Sequence, residues 1–360
     1  MIGLRTGTVR ALAAQRPGAL ELSVVVDGEP RLALAYTALV GPVREGDHVL
    51  LNVTATTLGL GTGGLDFVVA VLGADALDVD GPGHIMKLRY SPLQTAVLSV
   101  EDPAGPHHET MAATESLEGT PVVWTPLHSM VAPAVAGARA AGAGRVAYVM
   151  TDGAALGAPL SRICASLRSA GLLDAVVSSG QAFGGDLEAV NTLTGLLAAR
   201  AVAKADVIVV GDGPGNTGTA TRWGATDIES AFALVAARIL GGRLVAALRI
   251  SFADARERHR GVSHHSLTAL GTIVEPGARV AIPVLADEAQ RAAVVEALKG
   301  SGIGERHLVV ETRGEPGLDL LARHGIPIDS MERGVDEDPA FFLAAAAAGA
   351  VAAGLAEGAA

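Results

Sequence analysis

Over the first 85 residues, apolar and polar positions alternate in short bursts, and no 3.6-residue period lasts long enough for a helix. The bursts predict five strands, at residues 7–12, 20–26, 31–39, 48–54 and 66–71. Turn signals separate them: Arg16-Pro17-Gly18, Asp27-Gly28, Arg44-Glu45-Gly46-Asp47 and Gly61-Thr62-Gly63-Gly64. Five short strands with tight turns point to a small β-barrel, OB-like or SH3-like, over residues 1–85. Tyr36 and Phe67 are its aromatics and basic residues are few, so it lacks a platform for stacking bases. We read it as a scaffold or lid.

The pattern then changes. Residues 86–119 read as a linker or crossover, with an extended, partly basic start, a short strand within 93–100, and a loop holding Pro103, Pro106, His107 and His108. Side chains of neighbouring loop residues diverge, so His107 and His108 read as solvated. Residues 120–330 alternate apolar strands (122–124, 145–150, 174–178, 206–210, 243–250, 279–285, 307–311) with helical stretches (129–141, 159–170, 187–203, 227–240, 266–273, 287–299). That beat predicts a doubly wound, mostly parallel, Rossmann-like α/β domain covered on both faces. Residues 331–360 carry an Ala-rich helix, started by Asp338 and Pro339, that packs on the body.

Composition narrows the function. The chain of 360 residues has a net charge of −11, which argues against general nucleic-acid binding. Its lysines are Lys87, Lys204 and Lys299, so no polybasic membrane patch exists. The apolar stretch 341–355 is mostly alanine, interrupted by Gly349 and Gly354, and reads as a core helix rather than a membrane span. Cys164 is the sole cysteine; it excludes an internal disulfide and fits a reducing cytoplasm. No secretory leader pattern is seen.

In open α/β sheets, ligands bind beyond the carboxyl ends of the strands. Here those ends are chemically crowded, whereas the opposite connections are short and bland. After the strand at 206–210 comes GDGPGNTGTATRWGATDIES, in which Gly213, Gly215, Asn216, Thr217, Gly218, Thr219 and Arg222 could present N–H groups, hydroxyls and a guanidinium to an anion. Thr226 and Glu229 are spaced as a capping box that opens the next helix. Gly213-Pro214-Gly215-Asn216-Thr217-Gly218 formally matches G-x-G-x-x-G, but it follows a middle strand and contains Pro214, so it is no nicotinamide fingerprint. The bland alternative is a turn rich in glycine for conformational reasons alone.

After the strand at 243–250 the text is denser still. Asp254, Arg256, Arg258, His259, His264 and His265 fall within twelve residues. Arginine forks suit carboxylate or phosphate, and histidine supplies proton transfer near neutral pH. Acid–base use by His259, His264 or His265, with Asp254 orienting an imidazole, ranks above metal ligation, because adjacent histidines rarely chelate one ion; a divalent metal stays open if His259 or Asp254 joins them. Asp152, just past a strand end, reads as an orienting carboxylate or a turn cap. The bland alternative for the whole segment is a solvated or interface loop whose charges pair among themselves.

The segments MTDGAALGAPLS, GQAFGGDLEAVN and SFADARERHRGVSHHSLTAL, together with GHIMKLRYSPLQ and the barrel-like start, resemble a bacterial family known as a domain of unknown function. The resemblance spans most of the chain and implies a site at these loops without implying its reaction. It also makes Asp212 stand out, where a more apolar residue is expected beside Gly211.

Three functions remain open at this point. One is an enzyme for a small anionic metabolite, phosphorylated compounds included, with histidine acid–base chemistry. The others are a non-catalytic ligand-binding or regulatory protein using the same rim, and a partner-binding protein whose rim is interface. Ala- and Gly-rich helices such as 187–203 point to close packing and to a homodimer. Because the two rich loops follow consecutive strands, which usually neighbour each other, they are expected to share one pocket.

Overall fold

The computed structural model describes residues 2–60, 62–74, 77 and 83–357, and it divides into two compact units, residues 1–98 and 99–360. The turn expected around Gly61 and the extreme C-terminus lie partly outside the described residues.

In the first unit, strands β1 (Leu4–Arg16), β2 (Ala19–Val26), β3 (Glu29–Tyr36), β4 (His48–Asn52) and β5 (Leu65–Leu72) close into a barrel in the order β1-β2-β3-β5-β4. The β3–β5 pair is parallel and the other pairs are antiparallel, a Greek-key arrangement of the OB kind rather than a meander. Leu22, Val24, Ala33, Val49 and Leu51 fill its interior from alternate positions. A hairpin, β6 (Ile85–Lys87) with β7 (Thr95–Val97), also belongs to this unit.

The second unit is built on an eight-stranded parallel sheet. Its strands are β8 (Pro121–Trp124), β9 (Val146–Thr151), β10 (Ala175–Ser178), β11 (Leu187–Glu188), β12 (Val207–Asp212), β13 (Arg243–Ala247), β16 (Arg279–Pro283) and β17 (Leu308–Thr312). They lie in the order β11-β10-β9-β12-β8-β13-β16-β17. The paired β14 (Ile250–Ser251) and β15 (Gly261–Val262) stand outside the sheet. Burial on both faces explains the unbroken apolar strands. Val122, Val149, Ile208 and Leu244 join one core with helices Thr192–Ala201 and Phe232–Ile239. Val123, Tyr148, Val209 and Val245 join the other with helices Val131–Ala140 and Pro339–Glu357.

Three local expectations change. Residues 187–191 are not helical: Leu187–Glu188 adds an edge strand, and the helix starts at Thr192 behind an Asn191/Thr194 capping box. The helix at 227–240 is two helices, Thr226–Ser230 and Phe232–Ile239, and Thr226–Glu229 is no capping box, because Ala225 is the N-cap and no side chain caps it. A helix at Glu315–Arg323, unread in the sequence, packs beside Val131–Ala140.

The terminal helix Pro339–Glu357 is long and apolar enough to cross a bilayer, yet Phe341, Phe342 and Ala344–Ala348 are fully buried within the unit. Its small residues serve a close approach. A Cβ on Gly349 would run into the Ala134 backbone, and one on Gly137 into the backbone of Ala346.

Candidate functional site

The site is assembled where the chain leaves β13. That strand stops at Ala247, earlier than its apolar run predicts, and residues 248–249 turn out of the sheet. The antiparallel pair Ile250↔Val262 and Ser251↔Gly261 pinches off the excursion at 252–260, which carries a 3-10 turn at Glu257–His259. Helix His264–Thr268 follows, with Ser263 as N-cap. The Ser263 hydroxyl accepts from the His265 N–H at 3.3 Å and bonds His259 Nδ1 at 2.8 Å. One serine thus ties the outgoing limb to the helix start, and three histidines meet.

His264 and His265 have ring centroids 4.0 Å apart, and His259 lies 5.1 and 5.2 Å from them. One ring nitrogen from each falls within 4.8 Å of the other two. His259 and His265 are buried and His264 is half-buried. His265 Nδ1 bonds Asp227 Oδ2 at 2.9 Å, and Asp227 is itself buried in the first turn of helix Thr226–Ser230. That contact directs His265 Nε2 away from the carboxylate. The Nε2 atoms of His264 and His265 are buried without a hydrogen-bond partner. Buried polar atoms are nearly always paired, so two unpartnered imidazole nitrogens in one cluster single it out as a candidate site. Burial, then the nearby Arg249, Arg256 and His265 charges, push the His259 imidazole down to about 3. His264 is lowered too, chiefly by burial and then by His265. His259 and His264 therefore present neutral imidazoles at physiological pH.

Asp254 has a different role from the one expected of it. Its carboxylate accepts from Arg256 N, Nε and Nη2 at 3.0, 2.9 and 2.8 Å and from Arg249 Nη2 at 3.0 Å. Those bonds, the Arg256 guanidinium first, hold it far below the usual carboxylate range. Asp227, not Asp254, orients an imidazole. Arg333 lies 3.8 Å from Asp254 and 3.5 Å from Asp338, which also accepts from Ser251 Oγ. Arg256 is thus committed to Asp254, whereas the exposed Arg258 makes no side-chain hydrogen bond among the described residues, and its charge is felt at His264. Arg222 stacks over Trp223 at 4.7 Å and donates to Thr272.

The glycine loop is closed on itself rather than open as a cradle. Thr217 N–H donates to Thr226 Oγ1, Thr219 N–H donates to the Gly224 carbonyl, and the Thr219 and Thr221 hydroxyls bond each other. Gly213 is required by packing, since a Cβ there would strike the Ala155 carbonyl at 2.5 Å; Gly215 needs its positive φ of 92°. Gly218 abuts the cluster: a Cβ on it would sit 3.4 Å from His265 Cε1. Asn216 Nδ2 donates to Asp212 Oδ2 at 2.9 Å and to Thr226 Oγ1. Asp212 also accepts from Thr151 Oγ1, and burial raises its carboxyl to about 6. Asp152 accepts from Gln181 N–H at 2.8 Å and caps that turn; none of its hydrogen bonds reaches a histidine.

The two rich loops meet, but not for the reason expected. Strands β12 and β13 are not neighbours, because β8 runs between them. Gly218 and Asp227 reach the histidines across the carboxyl end of β8.

A family model described as "Protein of unknown function (DUF3866)" matches residues 32–349. The chain belongs to that family. The match runs from the third barrel strand into the terminal helix, so it takes in part of the first unit, most of the second and every residue of the cluster. A search of curated proteins finds no match.

Sequence reasoning missed Asp227, Arg249, Ser263, Arg333 and Asp338. Arg249 had a signal, a charge inside the apolar run 244–250. Asp227, Arg333 and Asp338 come from other segments of the chain, and nothing in the linear text links them to the histidines.

Proposed function

We propose that the protein is an enzyme acting on a small anionic molecule, with its reactive centre at His259, His264 and His265. The observation that carries this reading is the pair of buried, unpartnered Nε2 atoms beside an imidazole aligned by a buried carboxylate. Left to its own residues, the chain supplies acid–base chemistry there. His265, with Nδ1 held by Asp227, offers Nε2 as a proton acceptor, and lowered pKa values keep the cluster's other imidazoles neutral and able to accept. Arg258, exposed, without a hydrogen-bond partner among the described residues and with its charge felt at His264, supports recognition of a carboxylate or phosphate.

A screen of phosphorylated and carboxylated metabolites by thermal shift and by turnover tests this. A ligand should raise the melting temperature by mass action. With that ligand, His264→Ala should abolish turnover while its affinity stays within a few-fold of wild type. Arg258→Ala should weaken affinity about tenfold and reduce its salt dependence. Affinity without turnover in the wild type would favour the ligand-binding alternative, and no shift across the panel would favour an interface.

A further inference from the structure

The geometry points to a three-histidine site for a first-row divalent transition ion, held by His259, His264 and His265. The inference rests on the reading above only in placing the reactive centre at this cluster.

Four observations converge. First, one nitrogen from each ring lies within 4.8 Å of the other two. Tetrahedral Zn2+ with Zn–N distances of about 2.0–2.1 Å holds its nitrogens roughly 3.3 Å apart, so modest ring rotations close the site. Second, His264 Nε2 and His265 Nε2 are buried without partners. A cation accepting their lone pairs removes both orphans at once, whereas a single proton serves only one. Third, the supporting contacts have the pattern that orients metal-binding imidazoles. His265 Nδ1 bonds the Asp227 carboxylate at 2.9 Å, and His259 Nδ1 bonds Ser263 Oγ at 2.8 Å, which leaves Nε2 of both rings for the ion. Fourth, His264 is half-buried and gives an ion a way in from solvent.

The donor set chooses the class of ion. Three imidazoles, with no carboxylate joining the group among the described residues, suit Zn2+, Co2+ or Ni2+ rather than Mg2+ or Ca2+. The Arg249 and Arg256 charges oppose a dication, and Asp227 and Asp254 oppose those charges in turn. Three protein ligands leave a fourth position for water. Water on such an ion loses a proton to solvent near neutral pH and becomes a hydroxide. That hydroxide, rather than an imidazole, would then be the group facing an anionic substrate, with the His265–Asp227 pair as support.

The test uses the full chain, stripped with a chelator and titrated with Zn2+ by calorimetry and with Co2+ by visible absorption. We expect one ion per chain, a four-coordinate cobalt spectrum and a rise in melting temperature with Zn2+. His259→Ala and His265→Ala should each weaken Zn2+ binding at least 100-fold. Asp227→Asn should weaken it 10- to 100-fold with the stoichiometry kept. His107→Ala/His108→Ala, at the start of helix His108–Ala113 and outside the cluster, should change nothing. The half-buried His264→Ala, checked for a native melt, covers the chance that buried variants misfold. No ion on the wild type, or binding indifferent to His259→Ala, His264→Ala and His265→Ala, overturns the site. Turnover that survives the chelator but not His265→Ala overturns the metal and leaves the enzyme reading standing. Zn2+ bound as described without turnover on any substrate supports the site and counts against the enzyme.

Discussion

At the residue scale, His128 and Asp212 form an opposed pair. His128 bonds Ser161 Oγ at 2.7 Å through Nε2 and the Asp212 carbonyl at 3.3 Å through Nδ1, and both residues are buried. Burial lowers the histidine to about 4 and raises the Asp212 carboxyl to about 6. A histidine depressed on folding contributes stability above its unfolded pKa near 6.5, and that stability is lost as pH falls toward 4. A carboxyl raised on folding contributes stability below about 4, lost as pH rises through 6. Each effect is worth about 3 kcal/mol, so in the wild type they largely cancel between pH 4 and 6. His128→Gln should therefore leave a stability that falls with pH across that window. Asp212→Asn should leave one that rises with pH. Urea midpoints measured from pH 4 to 7 read the two slopes, and parallel profiles for both variants would refute the pairing.

At the element scale, the contact between helices Val131–Ala140 and Pro339–Glu357 depends on residues without side chains. Gly349→Leu must push apart two backbones that cannot relax independently, and should cost about 3 kcal/mol or more in urea denaturation. Gly354→Ala, five residues further along the same helix, meets nothing within 4 Å and should be neutral or slightly stabilising. The expected small-residue packing thus occurs inside one chain at this helix pair. Elements buried on both faces, such as β9 and β12, were legible in the sequence because a short unbroken apolar run bounded by turn signals reads as a buried strand. The barrel strands were legible because turns bracket them. Edge strand Leu187–Glu188 was not, since two residues paired to one neighbour have no period to read. The break after Ala247 was hidden because Leu248 and Ile250 continue the apolar run while Arg249 turns inward to Asp254. In the site, the three histidines were legible as a cluster, but their convergence depends on Ser263 bonding across the loop. Asp227 was hidden because its partner lies 38 positions away.

At the scale of the whole molecule, the strand order sets where chemistry can gather. β8, the first strand of the sheet in the chain, occupies its interior, with β12 on one side and β13 on the other. Segments after β12 and β13 meet over its end, so the cluster requires both halves of the sheet. The same order makes one face depend on the end of the chain, because Phe341, Phe342, Ala345 and Ala348 share a core with Val123, Tyr148 and Val209. A chain stopped before Pro339 should lose its cooperative thermal transition and bind a hydrophobic dye such as ANS. A sharp melt within a few degrees of wild type would contradict this.

That dependence bears on synthesis. Val123 emerges from the ribosome more than 200 residues before Phe341, and translation at about 5–20 residues per second imposes a wait of some 10–40 seconds. Throughout that interval the nascent sheet carries an uncovered apolar face. Any chaperone that shields the half-built sheet would compete with the protein's own helix for the same groove.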